Sequence, residues 1–334
     1  MSGPEFRALD DVVYGQVDHV SPGVRRVIAK NPSKFTYTGT GTYIVGTGDV
    51  VVIDPGPIMD SHRDALAAAL AGETVRGILI THCHSDHSPL AAWLAAETGA
   101  PTFAVGPHRV VDEPEGMFDG EEELSVPDDE ADDSAADGDS ASADDEPEVK
   151  MEESIDTGFT PDVVVVDGEV ALDGPGLTMR AVTTPGHTSN HCCYSFDEER
   201  TLFTGDHVMG WSTTVVSPPD GDMRSYIDSL RKVAARDDAL LWPTHGPCRD
   251  DAATYVQALV DHRLARTSQI VDLLRSAGPQ TVPEIVRVLY AAVHPKLHRP
   301  AARSVMGHLI ELVDDGRVHT VDGGPVRVAA QFAV

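Results

Sequence analysis

Four side chains able to bind a metal fall within six residues of this chain: His82, His84, Asp86 and His87, in the run Thr81-His-Cys-His-Ser-Asp-His-Ser88. His187, Asp206 and His245 follow at long range. Imidazole and carboxylate together suit zinc and similar borderline cations. A lone histidine is most often a satisfied core or surface residue, but His-x-His-x-Asp-His behind a strand is a metal-binding pattern. Seven such groups exceed the closed four-ligand shell of structural zinc. They imply a centre for two divalent ions, and with it hydrolysis by a metal-bound, metal-bridging hydroxide.

Strands must position these groups. Val75-Arg-Gly-Ile-Leu-Ile80 is short, apolar and β-branched, as a buried strand is. In the extended backbone that follows, alternate residues share a side. His82 and His84 therefore face one metal and Cys83 faces away, while Asp86 and His87 fall in the turn and reach a second metal. Thr184-Pro-Gly-His187 follows the strand pattern Leu177–Thr183, Phe203-Thr-Gly-Asp206 another apolar run, and Pro243-Thr-His245 the run Leu240-Leu-Trp242. Each group sits just past a strand, where loops gather functional residues. Asp206 alone reads as a turn residue; its six partners make it a ligand. Asp86, a ligand with a spare oxygen, is also the candidate catalytic proton acceptor. His191 and His207, next to ligands, are expected to support them from behind rather than to orient substrate.

Further strands are predicted near Thr42–Gly46, Val50–Asp54, Thr102–Val105, Val163–Val166, His191–Phe196 and Thr201–Thr204, with helices over His62–Ala71, Leu90–Thr98 and Met223–Ala235. Such mixing fits an α/β domain, placed at 1–255. From Ala252 the pattern turns helical: Tyr255–Leu274, then Val282–Ala292 capped by Thr281 with Glu284 in its first turn, then Pro300–Val313. Arg317–Val321 and Val326–Val328 flank Gly323-Gly324 as a hairpin. Three helices and a hairpin make a winged helix, placed at 256–334. Its basic residues Lys296, Arg299, Arg303 and Arg317 suit nucleic acid, but the excess is small and a wall or lid is the preferred role.

The net charge is −29 over 334 residues. Residues 112–157 hold 21 acidic side chains against one basic, whereas residues 261–334 hold seven against nine. The acidic stretch lacks any packing pattern and reads as a disordered insertion in a surface loop, either a solubilising tether or a competitor of RNA phosphates for basic surface. Cys83, Cys192, Cys193 and Cys248 form neither a zinc knuckle nor a disulfide framework, so buried free thiols in a reducing compartment are expected, with Cys192 and Cys193 on opposite faces of one strand. No apolar run approaches membrane-spanning length and the N-terminus lacks an apolar signal core, so no membrane partner and a cytoplasmic location are expected. A homodimer is compatible with the sequence.

The seven residues together resemble the metallo-β-lactamase superfamily, whose hallmark is the His-x-His-x-Asp-His loop with a later His, a bridging Asp and a final His. The resemblance implies an αβ/βα metallo-β-lactamase sandwich. His82, His84 and His187 would hold one ion, Asp86, His87 and His245 the other, and Asp206 would bridge. Asp54, in Val51-Val-Ile-Asp-Pro-Gly56, matches an early Asp that supports the metal loop, although Asp-Pro-Gly also reads as a plain turn. Asn31-Pro32, Gly39-Thr-Gly-Thr-Tyr-Ile-Val-Gly46, Thr184-Pro-Gly-His-Thr-Ser-Asn-His191, Gly205-Asp-His-Val-Met-Gly-Trp-Ser212 and the C-terminal tail resemble the group of β-lactamase-like protein 2 and its bacterial relatives. That group carries a C-terminal winged helix and includes an endoribonuclease for single-stranded RNA. It often has Asn where Gly41 stands, and many superfamily members have Gly where Ser88-Pro89 follows the motif. The resemblance implies a zinc-dependent phosphodiesterase on single-stranded RNA, or, as the alternative on a small-molecule substrate, a thioester or ester hydrolase of the hydroxyacylglutathione hydrolase type.

Overall fold

The computed structural model describes residues 3–9, 11–124 and 154–334; most of the acidic insertion, 125–153, lies outside the described residues. The chain divides into two compact units, Met1–Asp112 with Glu152–Arg266, and Glu113–Met151 with Thr267–Val334.

The first unit is built on two sheets. Strands β1 (Val17–Ser21), β2 (Val24–Ile28), β3 (Gly41–Thr47), β4 (Asp49–Ile53), β5 (Thr74–Leu79), β6 (Thr102–Ala104) and β7 (Val163–Val164) lie side by side in that order. The second sheet runs β12 (Leu240–Pro243), β11 (Thr201–Gly205), β10 (Cys192–Phe196), β9 (Leu177–Thr183), β8 (Val170–Gly174). Alternation along β4 shows why both sheets are so apolar. Val51 and Ile53 pack with Tyr43, Leu79, Tyr194, Phe203 and Trp242 in one core cluster. Val50 and Val52 pack on the other face with Leu66 of α1 (Asp60–Ala69) and Leu94 of α2 (Ala91–Thr98). On the second sheet, Val182, Leu202 and Leu241 pack against Tyr226 and Leu230 of α3 (Met223–Ala234) and Val256 of α4 (Ala252–Ala277). The result is helix, sheet, sheet, helix. Strands covered on both faces read as continuous apolar runs. Cys192 faces the first of these clusters and Cys193 the third, on opposite faces as expected.

The hairpin β1–β2 escaped sequence prediction because Arg25-Arg26 interrupts its apolar pattern. Arg26 is nonetheless buried, with its guanidinium over the Trp242 ring at 5.6 Å. The half-exposed edge strand β8 gave no clear pattern either.

The second unit comprises the end of α4, α5 (Val282–Leu289), α6 (His298–Asp314) and the short pair β13 (His319–Thr320) and β14 (Phe332–Ala333). The position 255/256 lies inside α4, and the compact units part further along it, after Arg266. Thr281 and Glu284 form a reciprocal capping box at the start of α5. The hairpin has a different second arm from the one predicted. Val326–Val328 does not pair with the 317–321 strand: the Val328 N–H donates to the Met117 carbonyl and its carbonyl accepts from Val282, so Phe332–Ala333 takes the place beside β13.

Met117 belongs to the described start of the acidic insertion, and that stretch is part of this unit's core. Met117 and Leu124 pack with Ile285, Val305, Leu309 and Phe332. Between them Glu121, 4 % exposed, accepts from Arg303 Nε at 2.7 Å, Arg303 Nη2 at 3.1 Å and Arg299 Nη2 at 3.1 Å. Burial alone would raise the Glu121 carboxyl, but the two guanidiniums hold it below the ordinary carboxyl range. Arg287 pairs with Glu123 at 3.1 Å. Two of the four basic residues read as nucleic-acid contacts, Arg299 and Arg303, are thus engaged by a carboxylate of the chain itself.

Candidate metal centre

Five strand ends converge on one edge of the sandwich. Parallel neighbours β4 and β5 finish together, with Ile53 opposite Leu79, so Asp54 and the Thr81–His87 loop emerge side by side. Parallel β11 and β12 finish with Gly205 opposite Pro243, so Asp206 and His245 emerge likewise. Antiparallel β9 and β10 are joined by the loop that carries His187 and His191. Parallel pairing puts C-terminal strand ends at a common edge, and that topology brings together groups far apart in sequence.

All seven predicted ligands meet there. One group is His82, His84, His187 and Asp206, the other Asp86, His87 and His245; within each, one donor atom per residue lies within 4.8 Å of the others. His82 Nε2 and His187 Nε2 approach His84 Nδ1 at 2.9 and 3.2 Å. His245 Nε2 lies 3.2 Å from Asp86 Oδ2 and 3.4 Å from Asp206 Oδ1; His87 Nε2 lies 3.4 and 3.6 Å from the same atoms. Asp206 turns its other oxygen, Oδ2, toward His187 Nε2 at 3.8 Å. It therefore reaches both groups, one oxygen to each.

The hydrogen-bond network assigns the tautomers. His187 Nδ1 donates to the Val215 carbonyl at 2.8 Å, so its Nε2 is a bare lone pair. Thr81 Oγ1 gives its one proton to Asp54 Oδ2 at 2.7 Å, so it accepts from His82 Nδ1 at 3.1 Å, and His82 Nε2 is bare too. Two lone pairs aimed at a third imidazole nitrogen leave at least one acceptor unsatisfied by any proton, and a cation resolves this. Burial, aided by neighbouring histidines, pushes the His82 imidazole well below its usual range and His84 down to about 3, and burial lowers His187. All three are neutral donors at pH 7.

The other group shows the complementary sign. Burial lowers both His87 and His245, but nearby carboxylates outweigh it, raising His87 well above the ordinary imidazole value and His245 to about 10. Burial would likewise raise Asp86, yet His87 and His245 bring it down to about 2. Protons on the two imidazoles here stand in for the positive charge the carboxylates demand. His87 Nε2 and Asp206 Oδ1 are buried without a hydrogen-bond partner among the described residues. The donor set and its orphaned atoms fit two divalent cations.

Of the three residues expected to support the ligands, Asp54 and His191 bond to them and the His207 ring does not. Asp54 accepts from the Thr81 N–H at 2.8 Å, from the Thr81 and Thr244 hydroxyls and from His87 Nδ1 at 2.9 Å, tying two ligand loops to one carboxylate. Its φ of 48° is left-handed, so the extended backbone of β4 ends at this residue. His191 Nε2 accepts the Asp206 N–H at 3.2 Å, and its Nδ1 donates to Thr184 Oγ1 at 2.8 Å. His207 belongs to neither group; its ring packs edge-on against Tyr226. Gly205, at φ 51°, leaves room for this arrangement, since a Cβ there would stand 2.7 Å from His191 Nε2.

Sequence reasoning missed Thr40 and Asn31. Thr40 Oγ1 donates to Asp86 Oδ2 at 2.9 Å and accepts from Asn31 Nδ2 at 2.9 Å. The only hints were Asn31-Pro32 and the Gly39-Thr-Gly-Thr run, which no metal pattern includes. Gly41 passes beneath the His245 loop, donating its N–H to the Thr244 carbonyl at 2.8 Å, and a Cβ there would come within 3.1 Å of that oxygen. Ser88, after the motif, donates to Asp156 at 2.7 Å and anchors the loop.

Residues 37–245 match the family described as the metallo-beta-lactamase superfamily, and residues 281–324 match the beta-lactamase associated winged helix domain. The chain is 29% identical over 307 residues to a beta-lactamase-like protein 2 homolog of Caenorhabditis elegans, covering 90% of this chain and 88% of that one. It is 30% identical over 281 residues to an atrochrysone carboxyl ACP thioesterase of Aspergillus fumigatus, covering 82% and 71%. Among solved structures, a beta-lactamase domain protein from Burkholderia ambifaria superposes with a TM-score of 0.70 at 21% identity, over 97% of this chain and 95% of that one. A metallo-beta-lactamase family protein from Thermus thermophilus gives 0.66 at 24% identity, over 94% and 99%.

Proposed function

Because this chain belongs to the metallo-β-lactamase superfamily and carries its hydrolase fold with the associated winged helix, we propose that it cleaves a thioester or ester with two divalent ions, zinc foremost. The observation that carries the metal-dependent part is the pairing of three neutral imidazoles with a second group of one carboxylate and two imidazoles, spanned by the two oxygens of Asp206. His82, His84 and His187 would hold one ion, Asp86, His87 and His245 the other, and Asp206 both. Ions so held supply an ionised water near neutral pH and positive charge opposite a developing oxyanion.

The residues of the chain do the positioning. Asp54 and Thr81 fix the ring planes of His87 and His82, and His191 fixes the Asp206 backbone. Asp86 Oδ2 is engaged by Thr40 and His245, which leaves its other oxygen to accept a proton and return it to the leaving group. A carboxylate held beside positive charge is a weak base and holds that proton only in passing. A thiolate leaving group, with a conjugate acid near pKa 8.5, needs little protonation and suits such a site.

Two further observations favour the thioester. Relatives that cover most of this chain are named as thioesterases. Arg299 and Arg303 of the winged helix are occupied by Glu121 in a chain of net charge −29, which disfavours a polyanion. The winged helix itself favours the second reading, cleavage of single-stranded RNA. The free thiols, three of them buried, support a reducing, cytoplasmic setting. Zinc- and manganese-loaded protein assayed side by side on S-lactoylglutathione, an acyl-pantetheine thioester and single-stranded RNA separates the two substrates. Thioester turnover lost in His84→Ala and Asp206→Asn is expected; RNA cleavage with no thioester turnover would overturn the reading.

A further inference from the structure

Behind His187 and Asp206 lies a single stretch of backbone, 214–215, that touches both. Val215 presents its carbonyl to His187 Nδ1 at 2.8 Å. Thr214 Oγ1 donates to the Asp206 carbonyl at 2.6 Å. This stretch belongs to no helix or strand, so its own backbone pairing does not hold it in place. It is held from outside: Arg263, on α4 and 3 % exposed, donates from Nη2 to the Thr214 carbonyl. The same guanidinium lies over the Tyr226 ring at 5.2 Å, and the Tyr226 hydroxyl donates to the His207 carbonyl at 2.9 Å. The backbone just after Asp206, at His207, and the Thr214 carbonyl are thus held by two side chains that stack on each other.

We propose that Arg263 is a positioning residue for the metal centre, holding the Thr214–Val215 carbonyls so that His187 keeps its Nδ1–H tautomer and Asp206 its place between the two groups. The physical reason is that an imidazole has two tautomers of similar energy in water, and the partner of one ring nitrogen selects which nitrogen is left to bind a metal. The Val215 carbonyl is that partner, and a carbonyl in a loop selects only as well as the loop is fixed. Arginine suits the task because its planar fork stays charged when buried and can bond the carbonyl while stacking on the tyrosine. Leucine or methionine would fill the same space without the bond.

This inference rests on the metal-centre reading above, and the test separates the two. In metal-free protein with 15N-labelled histidine, the His187 ring is expected as a single tautomer protonated at Nδ1. Arg263→Met is expected to mix the tautomers and to lower affinity for the first zinc about 10-fold or more, the range typical of lost outer-shell support. Arg263→Lys, which restores a donor, is expected to recover most of both. Thr214→Val is expected to weaken zinc binding while leaving the His187 tautomer intact. A wild-type His187 that is unprotonated at Nδ1, or an Arg263→Met protein with one tautomer and wild-type zinc affinity, overturns the proposal; the wild-type spectrum decides even where Arg263→Met does not fold. Wild-type protein that takes up no zinc would instead sink the metal-centre reading, with the tautomer result standing by itself.

Discussion

Replacing Glu121 with alanine should loosen the C-terminal unit and leave the sandwich alone. Removing one member of a buried ion pair costs about 3–5 kcal/mol when the other is left dry. Here the Arg303 side chain is 23 % exposed and that of Arg299 53 %, so water recovers part of the loss. Three charge-assisted hydrogen bonds disappear, but the arginines stay hydrated, and a loss of about 2–3 kcal/mol follows. At 1.4 kcal/mol per decade this is a rise of roughly 30- to 150-fold in the opening of α5 and α6, read as faster amide hydrogen exchange over those helices. Trp93, Trp211 and Trp242 all lie in the first unit, so the tryptophan fluorescence transition in urea reports the sandwich and should not move. The pH dependence has a definite sign. The Glu121 carboxyl is depressed when folded, so its stabilisation is fully present above the ordinary value of 4.5 and fades as pH falls below that through the depressed value. Wild-type α5 and α6 should therefore lose protection in acid more steeply than those of Glu121→Ala. Unchanged exchange in the variant, or an equal shift in the tryptophan transition, would refute the reasoning.

Two other outcomes follow from the site. Metal uptake must expel the protons that His87 and His245 carry beside their carboxylates, since both rings are raised and His245 reaches about 10. Between pH 6 and 9 one to two protons should appear per chain on zinc loading, and affinity should climb with pH; calorimetry in buffers of different ionisation enthalpy measures this, and a proton count near zero contradicts it. Asp54→Ala removes the one carboxylate shared by Thr81, Thr244 and His87, and metal content after dialysis should fall as for a 10- to 100-fold weaker site. Full metal content in that variant would make Asp54 the plain turn residue that Asp-Pro-Gly suggests.

The seven metal-type residues were legible in the sequence because coordination chemistry restricts residue type, and because a strand's two-residue alternation and a following turn restrict spacing. The same logic located most strands and helices, since a face that must be buried imposes its period on the residues that form it. Thr40, Asn31 and Arg263 carried no such mark: a hydroxyl, an amide and a guanidinium are common everywhere, and their roles come from which loop lies across from them. The second arm of the C-terminal hairpin and the partners of Arg299 and Arg303 were decided by Met117 and Glu121, which lie far away in sequence at the start of a stretch that reads as unpatterned charge. Local sequence determined which residues could bind metal and which elements could form. Tertiary structure alone decided how those residues are held, because hydrogen bonds between distant segments depend on the packing of strands and leave no period in the chain.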